Sequence, residues 1–392
     1  MLSKIKNIRP MEYNWLILVV SFILFSCVEN NEDKFIIKRG ELISVPVSNQ
    51  FDVDQGRFTY YHGDKKGEEY LIYYNKNNNV VSEVSLSEKK ERKLFKLAKS
   101  GKDNVGDANI IQKLGKDSFL VNSPLTYNLS WVDGEGHPVK NVVLLKGSMS
   151  DETCTVWFNE HTNFTNVDNL IYMAAAPDKN PDSSSFFMNS NTLFSLDIKS
   201  DSFQYFMPFP KDIQGYLWGL TCARPSVCLS LDDKSLLVSY GMKESLVSYD
   251  LSSKEVGDVN IKNGSAYKVE KCDPSLVNKG LSFYDMTTPY LYTGLLRDPF
   301  RHVYYRVVEH GLDKELVKKT KYKYWTYKTI SILVYNENFE QIAEKKLEDR
   351  KYVSHKFFVG ERGFYVQQFH PDDPNVSEDE LKFQCFELMK RS

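Results

Sequence analysis

Five stretches of the chain repeat one arrangement of apolar and polar positions: a short apolar strand, an Asp or Asn at its end, a polar turn, and a second alternating strand. They run from Tyr73-Tyr74-Asn75 to Val80–Leu86, from Trp131-Val132-Asp133 to Val139–Leu145, from Ser195-Leu196-Asp197 to Phe203–Phe209, from Tyr249-Asp250 to Val256–Ile261, and from Val334-Tyr335-Asn336 to Ile342–Leu347. Alternation with a period of two predicts strands, and the polar breaks predict hairpins. Asp and Asn suit such turns because they tolerate left-handed backbone angles and bond their own main chain. Counted between Asn75, Asp133, Asp197, Asp250 and Asn336, the intervals are 58, 64, 53 and 86 residues. Self-similarity at about 50 residues, with short strands throughout, predicts an all-β propeller of four-stranded blades. Alternation alone also fits unrelated hairpins in two β-sandwiches, so the repeat carries the choice.

A sixth copy opens at Phe383-Gln384-Cys385-Phe386-Glu387, with Glu387 51 residues beyond Asn336, and the chain ends at Ser392 before its second strand. Glu41-Leu42-Ile43-Ser44-Val45-Pro46-Val47 has the alternating character of the missing strand. The expectation is a six-bladed ring in which this N-terminal strand completes the last blade and covers an otherwise open sheet edge. Pro46 fits that placement, because proline is tolerated on an edge strand and not in a central one.

The residues before this strand follow another pattern. Basic Lys4, Lys6 and Arg9 precede the run Trp15–Phe25, apolar except for Ser21, which ends in Leu24-Phe25-Ser26-Cys27. Such a run is shorter than the ~20 residues that span a bilayer, so it reads as a cleaved secretory signal. Leu24, Ser26 and Cys27 resemble the bacterial lipobox, although Phe25 is bulkier than usual there. That resemblance implies lipidation of Cys27, which becomes the first residue of the mature protein and carries two or more acyl chains, enough for stable anchoring. Val28-Glu29-Asn30-Asn31-Glu32-Asp33 then reads as a flexible acidic tether. It resembles the signal that sends Bacteroidetes lipoproteins to the outer face of the outer membrane, and reads equally as a solvated spacer. The expected organisation is a signal peptide over 1–26, lipidated cysteine and tether over 27–34, and propeller over 35–392.

Composition changes this picture little. The formal charge is −2, and removal of Lys4, Lys6, Arg9 and Glu12 with the signal takes it to −4. Nucleic-acid binding would need a strongly basic footprint, so no nucleic-acid partner is expected. Tyr and Phe, at 24 each, favour strands.

The lipobox, the length, the motif Arg297-Asp298-Pro299-Phe300-Arg301-His302-Val303-Tyr304-Tyr305-Arg306 and the run Ser100-Gly101-Lys102-Asp103-Asn104-Val105-Gly106 together resemble uncharacterised Bacteroidetes lipoproteins with a TolB-like six-bladed propeller. The resemblance spans essentially the whole mature chain and implies no known activity. The 86-residue interval departs from an even repeat and leaves the boundaries of the blade holding Arg297–Arg306 open.

Within that motif Arg297, Arg301, Tyr304, Tyr305 and Arg306 are the candidate ligand-binding residues. Arginine offers a planar fork to anions and tyrosine an amphipathic ring to sugars. His302–Val308 reads equally as an ordinary packed strand. The insertion Lys314–Lys328 interleaves Lys318, Lys319, Lys321, Lys323 and Lys328 with Tyr322, Tyr324, Trp325 and Tyr327. That stripe could hold an acidic polysaccharide or lipopolysaccharide, or be a solvated loop and edge strand. Cys222 and Cys228 are spaced to close a small disulfide loop, or are two buried thiols.

Other chemistry is sparse. His62, His137, His161, His302, His310, His355 and His370 are scattered and form no HExxH motif; there is no GxSxG elbow or P-loop, and the cysteine spacing does not match a structural zinc site. Asp52-Val53-Asp54-Gln55-Gly56 begins like a calcium loop, but Gly63 stands where the bidentate glutamate belongs, so a turn is expected. His370-Pro371-Asp372-Asp373-Pro374 with Ser377 and Glu380 reads as a loop and short capped helix. No metal or cofactor is expected. The sequence thus predicts an outer-membrane, lipid-anchored binding or scaffold protein that presents a propeller to a glycan, a peptide or an envelope protein. The alternative is an envelope polysaccharide lyase or hydrolase with its site at the propeller channel.

Overall fold

In a computed structural model of the chain, the described residues lie within 35–391; 1–34, 392 and several internal stretches, the longest at 145–153, 157–163, 219–224, 272–286 and 318–323, fall outside the description. Cys27 and the tether are therefore outside it. The chain first forms β1 (Phe35–Pro46). Blade one is β2 (Phe58–His62), β3 (Glu69–Asn75), β4 (Val80–Ser85) and β5 (Lys90–Lys96). Blade two is β6 (Ile110–Gly115), β7 (Ser118–Ser123), β8 (Asn128–Asp133) and β9 (Pro138–Val143). In blade three the inner position is shared by β10 (Cys154–Val156) and β11 (Thr165–Val167), both paired with β12 (Leu170–Pro177), followed by β13 (Asn191–Asp197) and β14 (Phe203–Pro208). Blade four is β15 (Ser226–Leu229), β16 (Ser235–Ser239), β17 (Leu246–Asp250) and β18 (Val256–Val259). Blade five is β19 (Tyr290–Asp298), β20 (Val303–His310), β21 (Ile330–Tyr335) and β22 (Gln341–Leu347). Blade six is β23 (Tyr352–Val359), β24 (Phe364–Gln368) and β25 (Glu380–Lys390), with β1 as its outer strand. The protein is an all-β, six-bladed propeller.

Ring closure follows the sequence expectation. β1 pairs antiparallel with β25, from Phe35 opposite Lys390 to Pro46 opposite Glu380, with a bulge between Arg39 and Leu42. The closing strand is longer than Glu41–Val47, because β25 runs past the turn of its own blade and offers an edge as far as Lys390. Ile43 and Val45 point into the core while Leu42 is 46% exposed, as a period of two requires.

Six hydrophobic cores occupy the six interfaces between blades. Along β3, Leu71 and Tyr73 enter the core shared with blade six, and Ile72 and Tyr74 the core shared with blade two. Successive side chains of a strand point to opposite faces, and here both faces are covered. This is why a middle strand such as β21 is buried along its whole length.

The hairpin turns owe their geometry to the Asp and Asn residues. Asp133, Asp197, Asp250 and Asn336 each accept two backbone N–H groups on Oδ1, from residues two to four positions ahead. Asp201 and Lys254 then close two of these turns at φ of 61° and 64°. These four turns join the third and fourth strands of blades two to five. Asn75 makes the same bond to Asn77 but joins the second and third strands of blade one, so the 58-residue interval is out of phase. The matching turn of blade one follows Ser85, whose hydroxyl accepts the Glu88 N–H. The 86-residue interval reflects the stretches 260–289 and 311–329, before β19 and before β21. Around Ser377–Glu380 no helix forms among the described residues, because Glu380 already begins β25.

Candidate functional site

The first strands of blades one, four, five and six run toward one end of the central channel and finish there. They surround a cavity of about 420 Å³ at the channel mouth, whose wall also includes Thr165 and Asn166 of β11 in blade three. Tyr60, Tyr61 and His62 come from β2, Cys228 from β15, Arg297 from β19 with Phe300 just beyond it, and Phe358 from β23. Each strand contributes its last residues, because the turn that follows must clear the axis.

A belt of polar contacts ties neighbouring blades together around this mouth. Arg297 donates to Asp233 Oδ1 in the first turn of blade four, at 2.5 Å, and Tyr304 accepts the Leu231 N–H there at 2.7 Å. Arg301 is held by Asp298 Oδ2 at 2.5 Å and donates to the carbonyls of Gly360 and Glu361 in blade six, both at 2.7 Å. Glu361 Oε1 meets His62 Nε2 and accepts the Gly67 N–H, each at 2.6 Å, and so reaches blade one. Lys113 of blade two bonds the Tyr61 hydroxyl at 3.0 Å, and Gln112 Oε1 accepts the Phe164 N–H at 3.2 Å on the way to blade three.

The charge states of the mouth follow from these contacts. The hydrogen bond with Glu361 raises the His62 pKa, and the Gly67 N–H, with His62, holds Glu361 below the usual carboxylate range. Burial, reinforced by Glu69, raises the Tyr60 pKa, and burial with the Glu83 hydrogen bond raises that of Tyr61. Burial pushes the Cys228 thiol up to about 12, so it stays protonated.

The five motif residues divide. Arg306 is fully buried, donating to Ser239 Oγ at 3.0 Å, to Lys243 O at 2.6 Å and to Glu244 O, with its guanidinium 3.6 Å from the Tyr292 ring centroid. Burial lowers its pKa. Tyr304 and Tyr305 lie in the cores that join blade five to blades four and six. Arg301 clips blade five to blade six, while burial raises the pKa of its partner Asp298. Only Arg297 of the five lines the cavity, and its buried Nε–H has no hydrogen-bond partner among the described residues.

The remaining candidates are scattered. Cys228 is a free, buried thiol, and Cys222 lies outside the described residues, as do Lys318, Lys319, Lys321, Tyr322 and Lys323. Tyr324–Tyr327 form a 3₁₀ turn in which Trp325 packs edge-on to His355 and Tyr327 to His370. Lys328 is buried on Glu309 Oε2 at 2.5 Å. In the imitation calcium loop, Asp54 and Gln55 fall outside the description, and the Val53 carbonyl accepts from Lys356 and Gln367. No group of three His, Cys, Asp or Glu side chains is placed to hold a metal ion among the described residues. A second hollow, of about 450 Å³, opens on the opposite face; its Lys243 is paired with Asp212 at 2.6 Å and Asp258 at 3.2 Å.

The sequence signals that missed the mouth were positional. Tyr60–His62 and Arg297–Phe300 occupy equivalent places, at the end of a first strand, and only a correct phase for blade one brings them together.

No curated protein matches the chain. The crystal structure of a DUF4221 family member from Bacteroides vulgatus is similar to it with a TM-score of 0.76 at 18% identity, covering 92% of this chain and 100% of that one. Regucalcin, a calcium-binding protein from Agrobacterium tumefaciens, is similar with a TM-score of 0.50 at 10% identity, covering 91% of this chain and 97% of its own. At such identities the likeness extends to the propeller fold alone. Sequence carries the relationship further: the profile of the domain of unknown function DUF4221 matches residues 26–346, which take in the closing strand and nearly all of the first five blades, and the chain belongs to that family.

Proposed function

We propose that the protein is an outer-membrane lipoprotein, anchored through Cys27, whose channel mouth binds a sugar ring. The cavity itself carries this reading: about 420 Å³ at the channel mouth, with Tyr60, Tyr61, Phe300 and Phe358 in its wall beside Arg297, Thr165 and Asn166. Phe300 presents a ring at the mouth that is 39% exposed, and Thr165 and Asn166 stand in the same wall as polar partners. Aromatic faces with a few placed polar groups, in a cleft within the ~300–1,000 Å³ of small-ligand sites, suit a carbohydrate. The neighbouring charges are already matched, Arg297 with Asp233 and His62 with Glu361, which favours a neutral sugar over an acidic one. The mouth carboxylates Glu69, Glu83 and Glu361 each accept hydrogen bonds from the protein, which supports binding over hydrolysis or lyase chemistry.

Titration of the mature propeller with neutral and uronic-acid oligosaccharides, followed by calorimetry, tests the reading. Neutral oligosaccharides should bind, and Arg297→Met and Phe300→Ala should each weaken binding at least tenfold without lowering the melting temperature appreciably. Wild-type affinity in both variants would remove the mouth from consideration. Turnover of the oligosaccharide, lost on substitution of Glu69 or Glu361, would favour the enzyme instead.

A further inference from the structure

The first strand of each blade runs toward the mouth, the second away from it and the third toward it again, so first–second and third–fourth turns share the mouth face. β25 is a third strand and therefore ends, at Lys390, on that face. Phe35 lies opposite Lys390 and Pro46 opposite Glu380, so β1 starts on the mouth face and ends on the other. The chain preceding Phe35 thus leaves the ring on the side of the cavity.

Its reach is short. Eight residue steps separate Cys27 from Phe35, and a fully extended chain covers them in at most about 29 Å. β1, with 12 residues, is roughly 35 Å from end to end, so Cys27 cannot reach the Pro46 end of the same strand.

We propose that the propeller is held with its channel mouth toward the membrane that carries its anchor, and that the ligand of the mouth is the sugar headgroup of a lipid in that membrane. The proposal rests on the lipidated reading of Cys27 and on the sugar reading of the cavity. A glycan or protein arriving from the far side would meet the opposite face, where the 450 Å³ hollow lies.

Orientation is tested on the full, lipidated chain, with Cys154, Cys222 and Cys272 replaced, reconstituted in phospholipid vesicles that contain a headgroup quencher. A fluorophore is attached through Ser87→Cys or Lys254→Cys on the mouth face, and through Lys76→Cys or Glu244→Cys on the other. The mouth-face labels should be quenched several-fold more strongly in both blades. Equal or reversed quenching, with the protein floating with the vesicles and Cys27→Ala failing to float, overturns the orientation. If the wild-type chain floats no better than Cys27→Ala, the anchoring reading itself fails. The ligand is tested with the unanchored Cys27→Ala protein and vesicles made from the total envelope lipid of the producing cells. Binding that is lost with Arg297→Met supports a lipid-borne sugar. Absence of binding, in a protein that still binds free oligosaccharide, overturns it, whereas loss of both defeats the sugar reading.

Discussion

Replacing Arg306 by Met decides whether this arginine is a staple between blades or a group awaiting a ligand. Met preserves much of the side-chain length and removes the buried guanidinium, so buried Ser239 Oγ and the Lys243 and Glu244 carbonyls, which lie nearer solvent, lose their donor. A hydrogen bond to a charged group contributes about 1.5–3 kcal/mol net, and a buried acceptor left unpaired costs about 1–3 kcal/mol. These values do not add, because the three bonds share one group whose own desolvation cost disappears with it. The net loss is therefore about 2–3 kcal/mol, since no uncompensated charge stays behind. With an unfolding entropy of roughly 2.1 cal/mol/K per residue, a domain of this size then melts about 3–5 °C lower.

Calorimetry gives the shift, and hydrogen exchange at the β16–β17 turn shows whether the blade four interface opens first. Arg306→Lys should fall between wild type and Met, since an ammonium keeps the charge but not the planar fork. Arg297→Met is the control: its ion pair with Asp233, 27% and 61% exposed, contributes at most about 1 kcal/mol to stability. A melting point for Arg306→Met within about 1 °C of wild type, or a larger loss in Arg297→Met, would refute the division of the motif.

Three further outcomes are expected. Val45→Ala, fully buried in the closing strand, should cost about 2 kcal/mol in denaturant unfolding, whereas Leu42→Ala on its exposed face should change stability by less than about 0.5 kcal/mol; similar losses at both would mean that β1 does not pack as the outer strand. Backbone N–H groups of the turns hold Asp133, Asp197 and Asp250 below their usual pKa, so their contribution is complete above about pH 4 and disappears as pH falls through the lower folded values. Asn at all three positions keeps the Oδ1 acceptor without the charge, and should flatten the acid limb of melting temperature against pH; an unchanged slope contradicts the turn assignment. Burial, with Lys346 nearby, pulls His310 from 6.5 to about 4, so the folded protein keeps it neutral while the unfolded chain takes up a proton. Stability should therefore decline from about pH 6.5 toward pH 4, and His310→Phe should remove that decline; an identical profile in the variant counts against it.

Much of the fold was legible because its signals are local. An Asp that accepts two N–H groups within four residues writes the hairpin into the sequence whatever surrounds it. The same local character hid the phase, since Asn75 makes its turn between the second and third strands as readily as Asp250 makes one between the third and fourth. Ring closure was legible through an unpaired strand at one end and a spare alternating strand at the other. The channel mouth was not, because its wall collects a few residues from each of five blades, and nothing local distinguishes Tyr60 or Thr165 from other strand residues. Arg297 and Arg306 stood out together by composition, yet nine positions and the pleat of β20 place them in different surroundings.

The charge states at the mouth bear on the proposed choice of recognition over proton transfer. A general acid or base works best with a pKa near the operating pH. Here burial and the carboxylate contacts move Tyr60 and Tyr61 upward, burial takes Cys228 to about 12, and the Gly67 N–H with His62 draws Glu361 downward. His62 is raised by the same bond with Glu361, which keeps its proton committed to the link between blades six and one. Through neutrality Tyr60, Tyr61 and Cys228 therefore keep their protons and Glu361 its charge. Tyr61, His62 and Glu361 are tied across blades, and Arg297 combines an inter-blade contact with a place in the cavity wall. A ring closed by such a belt offers a charge-balanced opening, which is the setting that the proposed neutral ligand requires.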